Sequence, residues 1–155
     1  MNKIQRILCP TDFSQASLSA LPYAVDIARL FNAEIFLIHV VPLLPPTAGD
    51  LSFYTAPAVM EYMAAFRTDA DEQVDQMLHD LIPKEVKASK VLRDGDAASE
   101  ILQAVKDFQI DLITIATHGR TGWQHLVFGS VAEKVIRTSM VPVLTVRETA
   151  GESDQ

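Results

Sequence analysis

Residues 112–136 read Leu112-Ile-Thr-Ile115-Ala116-Thr-His118-Gly119-Arg120-Thr-Gly122-Trp123-Gln-His125-Leu-Val-Phe-Gly129-Ser130-Val131-Ala-Glu-Lys-Val135-Ile136. A short apolar run is followed by a loop punctuated with glycines, and then by an amphipathic stretch opening at Gly129-Ser130. The order is strand, loop, helix. Glycine allows close approach of the backbone to a ligand and tolerates positive φ. A helix start directs unpaired N–H groups and a positive partial charge at whatever precedes it. That combination suits phosphate. A connection that needs its glycines only to turn has the same outline, so the loop alone leaves both readings open.

Upstream, the pattern of an apolar run followed by an amphipathic helix recurs. A first strand, Arg6-Ile-Leu-Cys-Pro10, ends in Thr11-Asp12-Phe13-Ser14, and Ser14 is a suitable N-cap for a helix to about Asn32. Pro22 lies inside that helical pattern, where it removes a backbone donor and predicts a kink. The second strand is Glu34–Val41. Residues 42–57 carry Pro42, Pro45, Pro46, Gly49 and Pro57 and read as a long irregular, lid-like loop. A helix over Ala58–Leu81 follows, with Met60, Met63, Phe66, Val74, Met77 and Leu81 as a broken apolar stripe. The third strand, Val86–Leu92, is more polar than the others. Gly95-Asp96 starts a helix over Ala97–Phe108, strand four is Asp111–Ala116, and strand five is Val141–Val146.

Alternating strands and helices define an α/β fold: a single-domain open five-stranded parallel sheet with helices on both faces. Strands one, two and four are nearly continuous apolar runs, as both-sided burial requires. The polar third strand belongs at an edge, and right-handed crossovers then give the order 3-2-1-4-5. The order reverses between strands one and four, where open sheets of this kind bind ligands at the carboxyl ends of their strands. Asp12 ends strand one and Ala116 ends strand four. The topology therefore sets the two most suggestive loops side by side.

Bulk properties narrow the class. A chain of 155 residues, 48% of them hydrophobic, suffices for one domain with a real core, over residues 1–147, followed by an acidic tail, 148–155. A net charge of −7 argues against a nucleic-acid or acidic-membrane surface, since both repel it. No run reaches the ~20 apolar residues of a membrane span. The first residues lack the apolar core of a signal peptide, so a cytoplasmic protein is expected. Cys9, the lone cysteine, lies in an apolar run and reads as a buried inert thiol.

Several motifs together resemble the universal stress protein family over Ile7 to about Arg147. They are Ile7-Leu-Cys-Pro-Thr-Asp12-Phe-Ser14, Ile38-His-Val40, His118-Gly-Arg-Thr-Gly122 through Gly129-Ser-Val-Ala-Glu-Lys134, and Val141-Pro-Val-Leu144. The nucleotide-binding branch of that family carries Gly-x-x-Gly, nine residues, then Gly-Ser/Thr. Gly119, residues 120–128 and Gly129-Ser130 follow the pattern, while Ala116 replaces its first glycine. The resemblance implies an ATP site, with Mg²⁺ held mainly by the phosphates. Asp12, preceded by Pro10 and Thr11, would contact the ribose or adenine side, and the main chain at Val40 the adenine edge. Ala116 and Gly119 would line ribose and phosphates, and Gly129, Ser130 and Val131 would donate to the phosphate chain. His118, Arg120 and Gly122 complete the implied loop. A turn or cap role for Asp12, a plain N-cap role for Ser130 and an exposed loop position for Arg120 remain alternatives.

His39 reads as a hydrogen-bonded core residue, His79 as solvated and His125 as a surface residue. His118 and His125 lack the further ligands that a zinc site needs. No Gly-x-x-x-x-Gly-Lys-Ser/Thr loop occurs. No residue is an evident base for water, so hydrolysis is expected to be slow. The resemblance implies a nucleotide-dependent regulatory homodimer in stress response, with a regulatory protein partner. The apolar edge of strand five, Val141–Val146, supports pairing of two copies, although Pro142 weakens it at one position. The alternatives are a non-nucleotide interaction protein of the same fold and an adenylate-forming or pyrophosphatase enzyme. The latter lacks its glycine-rich loop, because Pro10-Thr-Asp-Phe-Ser14 occupies that place.

Overall fold

Ile7 and Cys9 face one side of the sheet and Leu8 the other, and the same alternation runs through every internal strand. In the computed structural model, which describes residues 3–43, 56–117 and 128–147, five strands form one sheet. They are β1 (Arg6–Pro10), β2 (Glu34–Val41), β3 (Ala88–Asp94), β4 (Leu112–Ala116) and β5 (Val143–Val146), in the order β3-β2-β1-β4-β5. All four pairings are parallel, with Arg6 opposite Glu34, Ile7 opposite Leu112 and Ile113 opposite Val143. The expected fold class and strand order hold.

The helices are α1 (Gln15–Leu18), α2 (Leu21–Phe31), α3 (Pro57–Leu81), α4 (Ala97–Asp107) and α5 (Ser130–Thr138). One core layer packs Ile7, Cys9, Ile35 and Leu37 against Leu21, Ala24 and Ala28 of α2 and Val74 of α3. The other packs Leu8, Ile38 and Ile113 against Ile101 and Ala104 of α4 and Val135 of α5. Burial on both faces explains why β1, β2 and β4 are nearly continuous apolar runs. In β3, at the edge, only Val91 is buried. Burial pushes the Cys9 thiol up to about 12, which leaves it a protonated core side chain.

Five features differ from expectation. The helix expected from Ser14 to Asn32 is two helices: Ser14 caps the first, accepting from Ser17 N, and the chain restarts at Leu21. Pro22 sits in the first turn of α2, where no N–H is needed, rather than kinking a helix interior. β3 lies two residues later than its hydrophobicity suggested, and β5 begins at Val143, after Pro142. The stripe on α3 is core only around Val74 and Met77: Val74 is buried and Met77 packs against the core, whereas Met60, Phe66 and Leu81 are exposed. Most of the 42–57 loop, and the 148–155 tail, lie outside the described residues.

Candidate functional site

The chain leaves β1 through a tight knot of side-chain hydrogen bonds. Thr11 N donates to Ile38 O of β2 at 2.9 Å, which carries the sheet one residue past the strand. Phe13 has φ of 66°, a conformation costly for a residue with a Cβ. It is held there because Phe13 N donates to Thr11 Oγ1 at 3.0 Å and its ring stacks on His39, with centroids 4.1 Å apart. His39 is itself buried and its Nδ1 lies 2.9 Å from Thr11 O, as a hydrogen-bonded core histidine should. The turn aims Asp12 at the carboxyl end of the sheet. Ser14 fixes its carboxylate, both N and Oγ donating to Asp12 Oδ1.

Across the reversal in strand order, β4 ends at Ala116. Thr117 N donates to Val146 O at 2.9 Å, and Gly129 N donates to Thr117 O at 2.6 Å. These bonds pin the start of α5 to the end of β4. Gly129 is the N-cap of α5 and Ser130 its first helical residue, so the reading of Ser130 as N-cap shifts by one position. Glycine has no side chain with which to accept from the first-turn N–H groups, so they need another acceptor. Gly129 has φ of −68°, so this glycine is not there to adopt positive φ.

These ends meet around a cavity of about 250 Å³. β1 contributes Pro10, Thr11 and Asp12; β2 contributes Val40; Ala116 comes from β4; Gly129, Ser130 and Val131 come from the start of α5. The structure thus brings eight of the sequence-proposed residues together. His118, Gly119, Arg120 and Gly122 lie outside the described residues. Ser17, Thr117, Ala97 and Ile101 also line the cavity and were missed. Thr117 had a signal, since it directly follows the end of β4, and Ser17 a weaker one, three residues past the motif that ends at Ser14. Ala97 and Ile101 had none, being ordinary residues of an amphipathic helix.

Among the described lining residues Asp12 carries the only formal charge, and the deeper wall, with Ile38, Ile101 and Ile115, is apolar. The arrangement offers an apolar slot, one carboxylate to accept from hydroxyls, and a helix start to donate to an anion. No group of three His, Cys, Asp or Glu able to hold a metal ion occurs among the described residues.

An open parallel α/β sheet with a cleft at its reversal point and a helix start opening into it defines a class of ligand-binding protein. Within that class, the chain belongs to the universal stress protein family, whose model matches residues 3–147. It is 32% identical over 155 residues to universal stress protein MJ0531 of Methanocaldococcus jannaschii, covering 97% of this chain and 86% of that one. The solved structure of MJ0577, from the same organism, superposes with a TM-score of 0.82 at 25% identity, covering 97% of this chain and 100% of that one. The universal stress protein from Archaeoglobus fulgidus in complex with dAMP shares the fold, with a TM-score of 0.56 at 19% identity and coverage of 94% and 98%. No described helix is long and apolar enough to cross a membrane.

Proposed function

We propose that this protein binds an adenine nucleotide, ATP with Mg²⁺, in the cleft between β1 and β4, and acts as a nucleotide-dependent regulatory homodimer in stress response. One observation carries the reading: Asp12, Val40, Ala116 and the uncapped start of α5 converge on a single cavity at the switch point. Asp12 accepts from the ribose hydroxyls, the main chain at Val40 meets the adenine edge, and Gly129, Ser130 and Val131 donate to the phosphates. Pro10 and Thr11 form the floor beside Asp12. Ala116 lines the ribose and phosphate side, and in this reading His118, Gly119, Arg120 and Gly122 complete the nucleotide-contacting loop. Mg²⁺ travels with the phosphate oxygens, which suits an ion that keeps most of its waters. That a universal stress protein of this fold holds dAMP agrees with the ligand class.

The regulatory output follows from the edge strand. β5 is the last strand of the sheet, with Val143 and Leu144 only half-buried and Met140 89% exposed beside it. Antiparallel pairing of two such edges covers this surface. The working unit is the domain over residues 1–147 with the acidic tail 148–155 outside it, in the cytoplasm, engaging a regulatory protein partner.

The test is titration of the purified protein with ATP, with and without Mg²⁺, followed by calorimetry and Trp123 fluorescence. Saturable binding that Asp12→Ala removes is expected. Absence of binding up to millimolar ATP overturns the reading in favour of a non-nucleotide interaction protein. Turnover above about 1 s⁻¹ would make it an enzyme instead. A solution mass of a monomer refutes the dimer.

A further inference from the structure

The turn between β3 and α4 touches three of the elements that build the cavity wall. Gly95 N donates to Val41 O at 2.9 Å, fastening the turn to the end of β2 beside Val40. Gly95 has φ of 141°, a conformation that side chains resist, so the turn needs glycine there. Asp96 then caps α4: Ser99 N donates to its Oδ1 at 3.0 Å, and Ser99 Oγ donates to the same oxygen. Lys134 of α5 reaches across the gap between helices and donates to Asp96 Oδ1 at 2.9 Å and to Ser99 Oγ at 3.3 Å.

Both helices present their first turns to the cavity, Ala97 and Ile101 from α4 and Ser130, Val131 and Ala132 from α5. Lys134 lies one turn beyond Ser130, and Asp96 immediately precedes Ala97. The bridge therefore joins the two helix starts at their cavity ends. Among the described residues it is the only salt bridge between α4 and α5.

We propose that Asp96 is a positioning residue for the cleft: by holding Ser99 and Lys134 together it fixes the separation of the first turns of α4 and α5, and so the width open to a bound nucleotide. The nucleotide in this statement rests on the function proposed above; the helix spacing does not. Hydrogen bonds from Ser99 and Lys134 hold the Asp96 carboxyl down at about 2, so the bridge stays charged throughout neutral and mildly acidic conditions.

The full chain tests this in two ways. Asp96→Asn keeps a capping side chain and loses the charge, and Lys134→Met removes the cation. Without nucleotide, each variant should exchange the amide hydrogens of residues 133–136, the first that the α5 backbone hydrogen bonds protect, about threefold faster than wild type, as befits an exposed ion pair. With ATP, each should bind about threefold more weakly while Tm falls by no more than about 2 °C, and the double variant should bind no more weakly than either. Lys134→Arg should behave as wild type. Wild-type exchange and affinity in both single variants, or losses that add in the double, overturn the proposal. If wild type binds no ATP, the nucleotide reading fails, and amide exchange alone decides the positioning role: unchanged exchange rejects it.

Discussion

Ser14 holds Asp12 with two donors at once, its backbone N 3.0 Å and its Oγ 2.5 Å from the same carboxylate oxygen. The same hydroxyl oxygen accepts from Ser17 N and caps α1. One side chain therefore starts a helix and orients the acid at the end of β1. Ser14→Ala should cost about 1 kcal/mol of stability through the lost cap. It should weaken ATP about threefold, since Asp12 loses one of the two donors that orient its carboxylate and keeps the backbone N–H of residue 14. Ser14→Thr retains the hydroxyl and should stay close to wild type in both. Chemical denaturation and calorimetry on the three proteins check this. Wild-type ATP affinity in the alanine variant would remove Ser14 from the site.

Ala116 is the one departure from the phosphate-loop pattern, and it lines the cavity. Its methyl group takes space that glycine leaves to the ligand. Ala116→Gly should tighten ATP about threefold while costing about 0.5–1 kcal/mol of stability, the entropic penalty of glycine in a strand. Ala116→Val should abolish binding and cost about 1–3 kcal/mol by overfilling a buried position. Calorimetry with matched melting curves separates the two effects. Equal affinity in the glycine variant would show that the methyl group clears the ligand.

Thr114 is fully buried in β4, and its hydroxyl has no hydrogen-bond partner among the described residues. A buried unsatisfied hydroxyl costs about 1 kcal/mol or more. Thr114→Val replaces it with a methyl group of similar shape and should raise stability by about 1 kcal/mol, which is ~2–4 °C in Tm for a domain of this size. Ligand affinity should not change, because Thr114 does not line the cavity. A lower Tm would mean that the hydroxyl is satisfied.

Asp96 titrates at about 2 in the folded protein against 3.8 for its ordinary value. Its folded pKa is depressed, so its contribution is present above about pH 4 and is lost as pH falls from there towards 2. The carboxylate is 63% exposed, so the effect is small, about 0.5 kcal/mol. Urea midpoints between pH 5 and 2.5 should fall more steeply in wild type than in Asp96→Asn. Parallel curves would show that the carboxylate is not stabilised by its neighbours.

The sheet was legible because burial on both faces forces β1, β2 and β4 to be nearly continuous apolar runs. β3 was misplaced by two residues because an edge strand needs few apolar positions and therefore leaves little pattern to align. Pro22 was read as a kink because an interior proline and a first-turn proline share the same local sequence. Only the break at Ser19-Ala20 distinguishes them, and no glycine marks it. The site was legible wherever motifs fell at strand ends, as at Asp12, Val40, Ala116 and Gly129. It was illegible at Ala97 and Ile101, whose place at the cavity follows from the packing of α4 beside α5. No spacing within the chain records that packing.

All five strands run parallel, so every one of them finishes on the same side of the molecule. The two apolar layers that stabilise the fold lie along the strands, while the groups facing the cavity cluster at their tips. Substitutions at Asp12 or Ser130 can therefore retune what is recognised while the interior stays packed as it is. Such a scaffold can exchange one ligand for another within a lineage without first having to refold.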